Sequence, residues 1–238
     1  VPYTSKLTVD VYYPNGEGPW PVAVVLHGGE DHKATMSDFG RAVAQLGVVV
    51  FVPEWRSFPA QLEEHRFSAI EDVACAVRFA RDRADEYGGD GERIVMAAWS
   101  LGANFAAIAV LRDDPVEGDC VAGPEVSARA QGMVGLDGVY NFTELILAGS
   151  TSPPAWSTDD MNEISAHSYV RTTDGDDLPV FRLFTGSVEE LNAQAERFRD
   201  DIRQAGFEVD LVRHLDLSHF AVIFAPGTVE ALVDLAFG

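Results

Sequence analysis

The chain has 238 residues, of which 47% are hydrophobic and 23% charged, and a formal net charge of −21. That length suits one large core, and no apolar run approaches the roughly 18 residues of a membrane-spanning helix, so the chain reads as soluble. The acidic excess repels nucleic acid and anionic membrane surfaces, so neither is expected as a partner.

In chain order, Leu7–Tyr13 alternates like a half-exposed strand, and Asn15-Gly16-Glu17-Gly18-Pro19 turns it. Val22–Leu26 is a short continuous apolar run, the pattern of a strand buried on both faces. Asp38–Leu46 reads as a helix closed by Gly47, and Val48–Val52 as a second buried strand stopped by Pro53. Ser68–Tyr87 is predicted helical, with Ile70, Val73, Ala74 and Val77 on one face. Arg93–Trp99 is predicted as a strand, Leu101–Arg112 as a helix of small residues, and Gly132–Val139 as another strand. Asn141–Asp177 is less regular, holding Ser152-Pro153-Pro154 and the acidic run Asp174-Gly175-Asp176-Asp177. Regularity returns with strand Pro179–Thr185, helix Leu191–Ala205 ended by Gly206, strand Val209–Leu215 and a helix from about Thr228. This alternation predicts a single α/β domain over 1–238. It has a mainly parallel sheet with helices on both faces, and residues 141–177 form a small cap-like insertion over one end of it.

Two cysteines, Cys75 and Cys120, are too few for a disulfide framework, and no Cys-x-x-Cys is present, so a zinc site is not expected. Glu63-Glu64-His65 lacks the His-x-x-x-His spacing of a helical metal site. No metal or other cofactor is called for. The two cysteines would pair in an exported protein and otherwise stand as buried free thiols. The first residue is Val1 and not Met, which points to a trimmed N-terminus; export and a cytoplasmic location both fit.

The chemistry concentrates in Ile94-Val95-Met96-Ala97-Ala98-Trp99-Ser100-Leu101-Gly102-Ala103-Asn104, where an apolar strand runs straight into a serine and then a small-residue helix. That is the setting of a nucleophile elbow, usually Gly-x-Ser-x-Gly, with Ala98 here in place of the first Gly. Small neighbours are needed because the serine sits on a strained turn between closely packed elements. The competing role for Ser100 is a helix N-cap. His27-Gly28-Gly29 follows the strand Val22–Leu26 and suits an oxyanion loop in which Gly28 or Gly29 and the backbone N–H of Leu101 donate. Of six histidines, His219 is the candidate base, in a loop after the strand Val209–Leu215 that can reach the top of the sheet. His214 reads as a surface strand position, and His65 and His167 as solvated loop residues. The acid that orients His219 is expected beyond Pro179–Thr185, where Glu189 and Glu190 both fit, with Asp137 and Asp216 as competitors. Trp99 and Trp156, with Tyr169, are candidate substrate contacts.

These segments resemble the α/β-hydrolase superfamily of bacterial carboxylesterases, near its feruloyl-esterase-like and kynurenine-formamidase-like members. The resemblance covers nearly the whole chain. His27-Gly28-Gly29 is similar to their oxyanion loop, Phe51-Val52-Pro53-Glu54-Trp55-Arg56 to a strand-end stretch, and Tyr87–Ile94 to the loop before the nucleophile strand. Gly138-Val139-Tyr140-Asn141 resembles the formamidase-like Gly-Val-Tyr-Asp. Thr185-Gly186-Ser187-Val188-Glu189-Glu190-Leu191 resembles His-Gly-x-x-Asp-Glu-Leu, which favours Glu189 as the acid. The resemblance implies a serine hydrolase that cleaves small-molecule carboxylic esters through an acyl-enzyme on Ser100. The alternatives are an aryl-formamidase-type amidase and a non-catalytic binding module. Acyl and alcohol preference and oligomeric state stay open.

Overall fold

Short runs of β-branched and small apolar residues become the strands of one sheet in the computed structural model, which describes residues 1–57, 67–112, 117–147, 156–171 and 178–238. The strands are β1 (Val9–Tyr12), β2 (Trp20–Leu26), β3 (Val49–Pro53), β4 (Gly89–Trp99), β5 (Gly132–Leu136), β6 (Val180–Thr185) and β7 (Glu208–Arg213). Their order is β1-β3-β2-β4-β5-β6-β7. Only β1 runs antiparallel to its neighbour; the other pairings are parallel.

Alternation along β2 divides the core in two. Val22, Val24 and Leu26 join one hydrophobic cluster, and Ala23 and Val25 join the other across the sheet. The first cluster is covered by α2 (Ser68–Arg83), α3 (Leu101–Leu111) and α6 (Glu189–Gln204), through Val73, Val77, Phe105, Phe198 and Ile202. The second is covered by α1 (Ser37–Gln45) and α7 (Thr228–Phe237), through Phe39, Val43, Leu232 and Ala236. A mainly parallel sheet with helices on both faces is the arrangement that the alternating pattern predicts.

Several predicted boundaries move, each for a local reason. The helix expected to reach Tyr87 stops at Arg83 and tightens into a 3-10 turn over Ala84–Tyr87, closed by Gly88 at φ 73°. β5 ends at Leu136 and not Val139, because Asp137 takes a left-handed φ of 46° and turns the chain. The last strand ends at Arg213. His214 is therefore not a surface strand position: it is half-buried, its ring stacked on Phe184 with centroids 6.2 Å apart.

Within 141–177, the described part is more regular than its sequence suggested. It contains α4 (Phe142–Leu147), α5 (Thr158–Glu163) and a 3-10 turn over Ala166–Tyr169. Ser157 caps α5 through a reciprocal capping box with Asp160. The segment is tied down by Asn104 of α3, which is fully buried. Its Nδ2 donates to the Ile164 carbonyl at 2.7 Å and its Oδ1 accepts from Ala166 N at 2.8 Å. Tyr140 and Asn141 both donate backbone N–H groups to Gln194 Oε1 of α6 at 2.9 Å. Glu63, Glu64 and His65, Ser152-Pro153-Pro154 and residues 174–177 lie outside the described residues.

Cys75 of α2 and Cys120 are bonded to each other, with Cα atoms 4.9 Å apart and a sequence separation of 45. Of the two alternatives left by the sequence, the structure shows the disulfide. It holds the N-terminal segment as well, since Thr4 forms a β-bridge with Cys120. No helix among the described residues is long and apolar enough to cross a membrane.

Candidate active site

Ser100 stands between β4 and α3 with φ 54° and ψ −123°, a conformation that costs an L-residue on the order of 1–3 kcal/mol and must be imposed by its surroundings. Three backbone hydrogen bonds impose it. Ser100 N donates to the Leu136 carbonyl at 2.9 Å, and the Ser100 carbonyl accepts from Ala103 N and Val139 N, both at 3.1 Å. The small flanking residues are a steric requirement. A Cβ on Gly102 would collide with the His27 carbonyl, and Ala98 pairs across the sheet with Leu26 on one side and Gly135 on the other. Ala98 is wholly buried and fits where the usual motif has glycine. Ser100 occupies the N-cap position of α3, yet its side chain makes no capping hydrogen bond. The hydroxyl is directed elsewhere.

It meets the imidazole. His219 Nε2 lies 2.9 Å from Ser100 Oγ, and His219 Nδ1 lies 2.7 Å from Asp137 Oδ2. A carboxylate can only accept, so this contact places the ring proton on Nδ1 and leaves the Nε2 lone pair facing the serine hydroxyl. Asp137 is completely buried, while the His219 side chain is one-third exposed. The second oxygen of Asp137 accepts from Gly186 N at 2.9 Å, and Asp137 N donates to the Phe184 carbonyl at 2.7 Å. Both contacts come from the end of β6, next to β5 in the sheet. They fix which oxygen faces the imidazole.

The carboxylate on the imidazole is thus Asp137 and not the favoured Glu189. Glu189 opens α6 with Glu190, and both are exposed in its first turn, where their charge complements the helix dipole. Asp216 is exposed in the turn before His219. The β6–α6 loop nevertheless serves the site through its backbone. Gly186 N holds Asp137, and Ser187 N donates to the Leu217 carbonyl at 2.8 Å, tying down the His219 loop. A Cβ on Gly186 would come within 2.7 Å of Val222 and 2.8 Å of the Leu217 carbonyl, so glycine is needed there. The signal for Asp137 in the sequence was its place at the end of the predicted strand that precedes Pro179–Thr185.

Trp99 is held against the histidine loop. It is 8% exposed, its Nε1–H donates to the His219 carbonyl at 3.0 Å, and its ring lies 4.9 Å from the imidazole. It braces the histidine loop. Trp156 is half-buried and packs against the larger core cluster, as does Tyr169. His167 is exposed on the 3-10 turn, with Nδ1 3.7 Å from Asp201.

The glycine loop packs against the elbow. A Cβ on Gly28 would lie 2.8 Å from the Trp99 ring and 3.2 Å from Ser100 Cβ, and one on Gly29 2.9 Å from Leu101 Cδ2. His27, fully buried and stacked on Trp55 at 5.1 Å, contacts the Gly28 carbonyl through Nδ1 at 2.8 Å. In a trans peptide the N–H of Gly29 points opposite to that carbonyl, away from the His27 ring. Burial lowers the His27 pKa, opposed in part by the Gly28 hydrogen bond and the nearby Glu54 carboxylate. Burial also raises the Tyr140 hydroxyl above its ordinary range, with the neighbouring Asp137 charge adding to the shift, so Tyr140 stays protonated.

A family model described as BD-FAE matches residues 9–174, a span that contains Ser100 and Asp137 and ends before His219. A probable isoprenylcysteine alpha-carbonyl methylesterase of Oryza sativa subsp. japonica is 27% identical over 237 residues, 89% of this chain and 53% of that protein. A second, from Arabidopsis thaliana, is 30% identical over 145 residues, 58% of this chain and 29% of that protein. The chain spans about half or less of the length of these relatives. Among solved structures, a truncated carbohydrate esterase from gut microbiota has a TM-score of 0.77 at 19% identity, covering 96% of this chain and 89% of that one. The propionate-bound esterase Est2 of Thermogutta terrifontis has a TM-score of 0.75 at 20% identity, covering 97% and 87%. At these identities the likeness is one of fold.

Proposed function

Since the chain belongs to the BD-FAE family and has the α/β-hydrolase fold, we propose that it is a serine esterase acting on small carboxylic esters, with Ser100 as nucleophile, His219 as base and Asp137 as the group that orients the base. The observation that carries this reading is the unbroken hydrogen-bonded series Ser100–His219–Asp137 across three loops at one end of the sheet.

In the reaction, His219 Nε2 takes the hydroxyl proton as Ser100 Oγ bonds to the ester carbonyl carbon, and the carbonyl electron pair moves onto its oxygen. That oxyanion is held by backbone N–H groups of Gly29 or Gly28 and of Leu101, which opens α3 and has no donor-side partner within its helix. Collapse breaks the bond to the alcohol oxygen, which takes the proton from Nε2 and leaves. Water then adds to the acyl-enzyme by the same route, giving the acid and restoring Ser100. Asp137 keeps the imidazole in the required tautomer and offsets the positive charge it acquires.

The relatives named as methylesterases support an ester as the substrate class. The Gly138-Val139-Tyr140-Asn141 stretch that motivates the formamidase alternative has at least a packing role, since the backbone N–H groups of Tyr140 and Asn141 both donate to Gln194 Oε1. The Cys75–Cys120 disulfide supports an oxidising compartment. Replacing Ser100→Ala should reduce turnover of p-nitrophenyl acetate by at least about 10³-fold with an unchanged circular dichroism spectrum. Undiminished turnover would refute the assignment, and faster turnover of N-formyl aromatic amides than of esters would shift it to an amidase.

A further inference from the structure

The loop that delivers His219 is unusually apolar on its outside. Among the described residues nine large hydrophobic side chains stand exposed, and three of them, Leu215, Phe220 and Phe224, fall within ten consecutive positions that include His219. A single exposed apolar residue needs no explanation, but a concentration of them beside a reactive group does. Phe220, next to His219 in sequence, is 52% exposed. Its ring stands perpendicular to the Trp99 ring, with centroids 5.6 Å apart. Phe224, 49% exposed, leans on Phe39 of α1 at 6.4 Å.

The chemistry assigns this surface a side of the substrate. The proton on His219 Nε2 must pass to the departing alcohol oxygen, so that oxygen lies within hydrogen-bond reach of the imidazole. Whatever is attached to it continues over the neighbours of His219, whereas the acyl chain is anchored at Ser100 and the glycine loop. Resting on the esterase reading, we propose that Phe220 is a specificity-determining residue: its exposed face receives the apolar group of the ester's alcohol portion, which favours aromatic or other bulky apolar alcohols. The bland alternative is that Phe220 only supports Trp99 and, through it, the histidine loop.

The test compares kcat/KM for 2-naphthyl acetate, methyl acetate and methyl hexanoate in wild type, Phe220→Ala and Phe220→Leu. The naphthyl-to-methyl acetate ratio should fall about tenfold in Phe220→Ala, the size expected for loss of one aromatic contact. Phe220→Leu, which keeps apolar area, should retain most of the ratio, and the hexanoate-to-acetate ratio should not follow. An unmoved naphthyl ratio, a parallel loss on all three esters, or a loss that tracks the acyl chain would each overturn the proposal. A wild type inactive on all three esters would instead overturn the esterase reading itself, before any variant is compared.

Discussion

Replacing Asp137 with asparagine tests the site where its geometry is most constraining. An amide in place of the carboxylate has one acceptor and one donor end, and the two neighbours of Asp137 decide which faces where. Gly186 N–H, 2.9 Å from Oδ1, accepts no donor opposite it, so the amide oxygen must take that side. The amide NH₂ then points at His219 Nδ1, 2.7 Å away in the native protein, and forces that nitrogen to act as acceptor. The ring proton moves to Nε2, which is 2.9 Å from Ser100 Oγ and can no longer take its proton. By analogy with the same change in a serine protease triad, kcat should fall about 10⁴-fold near neutral pH. At about 1.36 kcal/mol per tenfold, that is roughly 5 kcal/mol of transition-state stabilisation. Hydrolysis of p-nitrophenyl acetate per mole of protein reads the effect, with a thermal melt establishing that the variant is folded. Glu189→Gln serves as the comparison and should stay within about twofold of wild type. Near-native activity in Asp137→Asn together with collapse in Glu189→Gln would refute the assignment of the acid.

Three further outcomes are expected. Trp99→Phe removes the donor to the His219 carbonyl while keeping an aromatic ring. It should lower kcat about tenfold with little change in KM, whereas a raised KM at constant kcat would make Trp99 a substrate contact. Because burial depresses the His27 pKa below its unfolded value of about 6.5, the unfolded chain binds the proton more readily. The stability contributed by neutral His27 is therefore complete above that pH and is lost as pH falls towards and through the folded value. The stability advantage of wild type over His27→Asn in thermal melts should narrow from pH 7.5 to 5, and a constant gap would contradict it. Reducing Cys75–Cys120 opens a loop of 45 positions and should cost about 4 kcal/mol, read as a lower urea midpoint under reductant. An unmoved midpoint would show that the bond contributes no net stability.

How far the chain could be read depended on the range of the interactions involved. The β4–Ser100–α3 elbow, the Gly28-Gly29 turn and the His219 loop each leave a mark within a few residues: an apolar run, small side chains at a tight bend, a titratable group after the last strand. Those marks are written by local sterics and hydrogen bonding, so the alternating architecture, the hydroxyl and the imidazole were all visible in the linear chain. Asp137 was visible only as a competitor. Asp137 and His219 are 82 positions apart, and carboxylates follow both β5 and β6, so local pattern cannot rank them. The folded chain decides by turning Asp137 inward at φ 46° and setting Gly186 against its second oxygen, while α6 carries Glu189 out into solvent. The same holds for Trp99, whose indole finds a carbonyl 120 positions away, and for the two cysteines, which are brought together only when α2 and the segment after α3 pack side by side. A burial pattern specifies which residues go inside, but which of them meet depends on strand order and loop path, and these are properties of the whole packed chain.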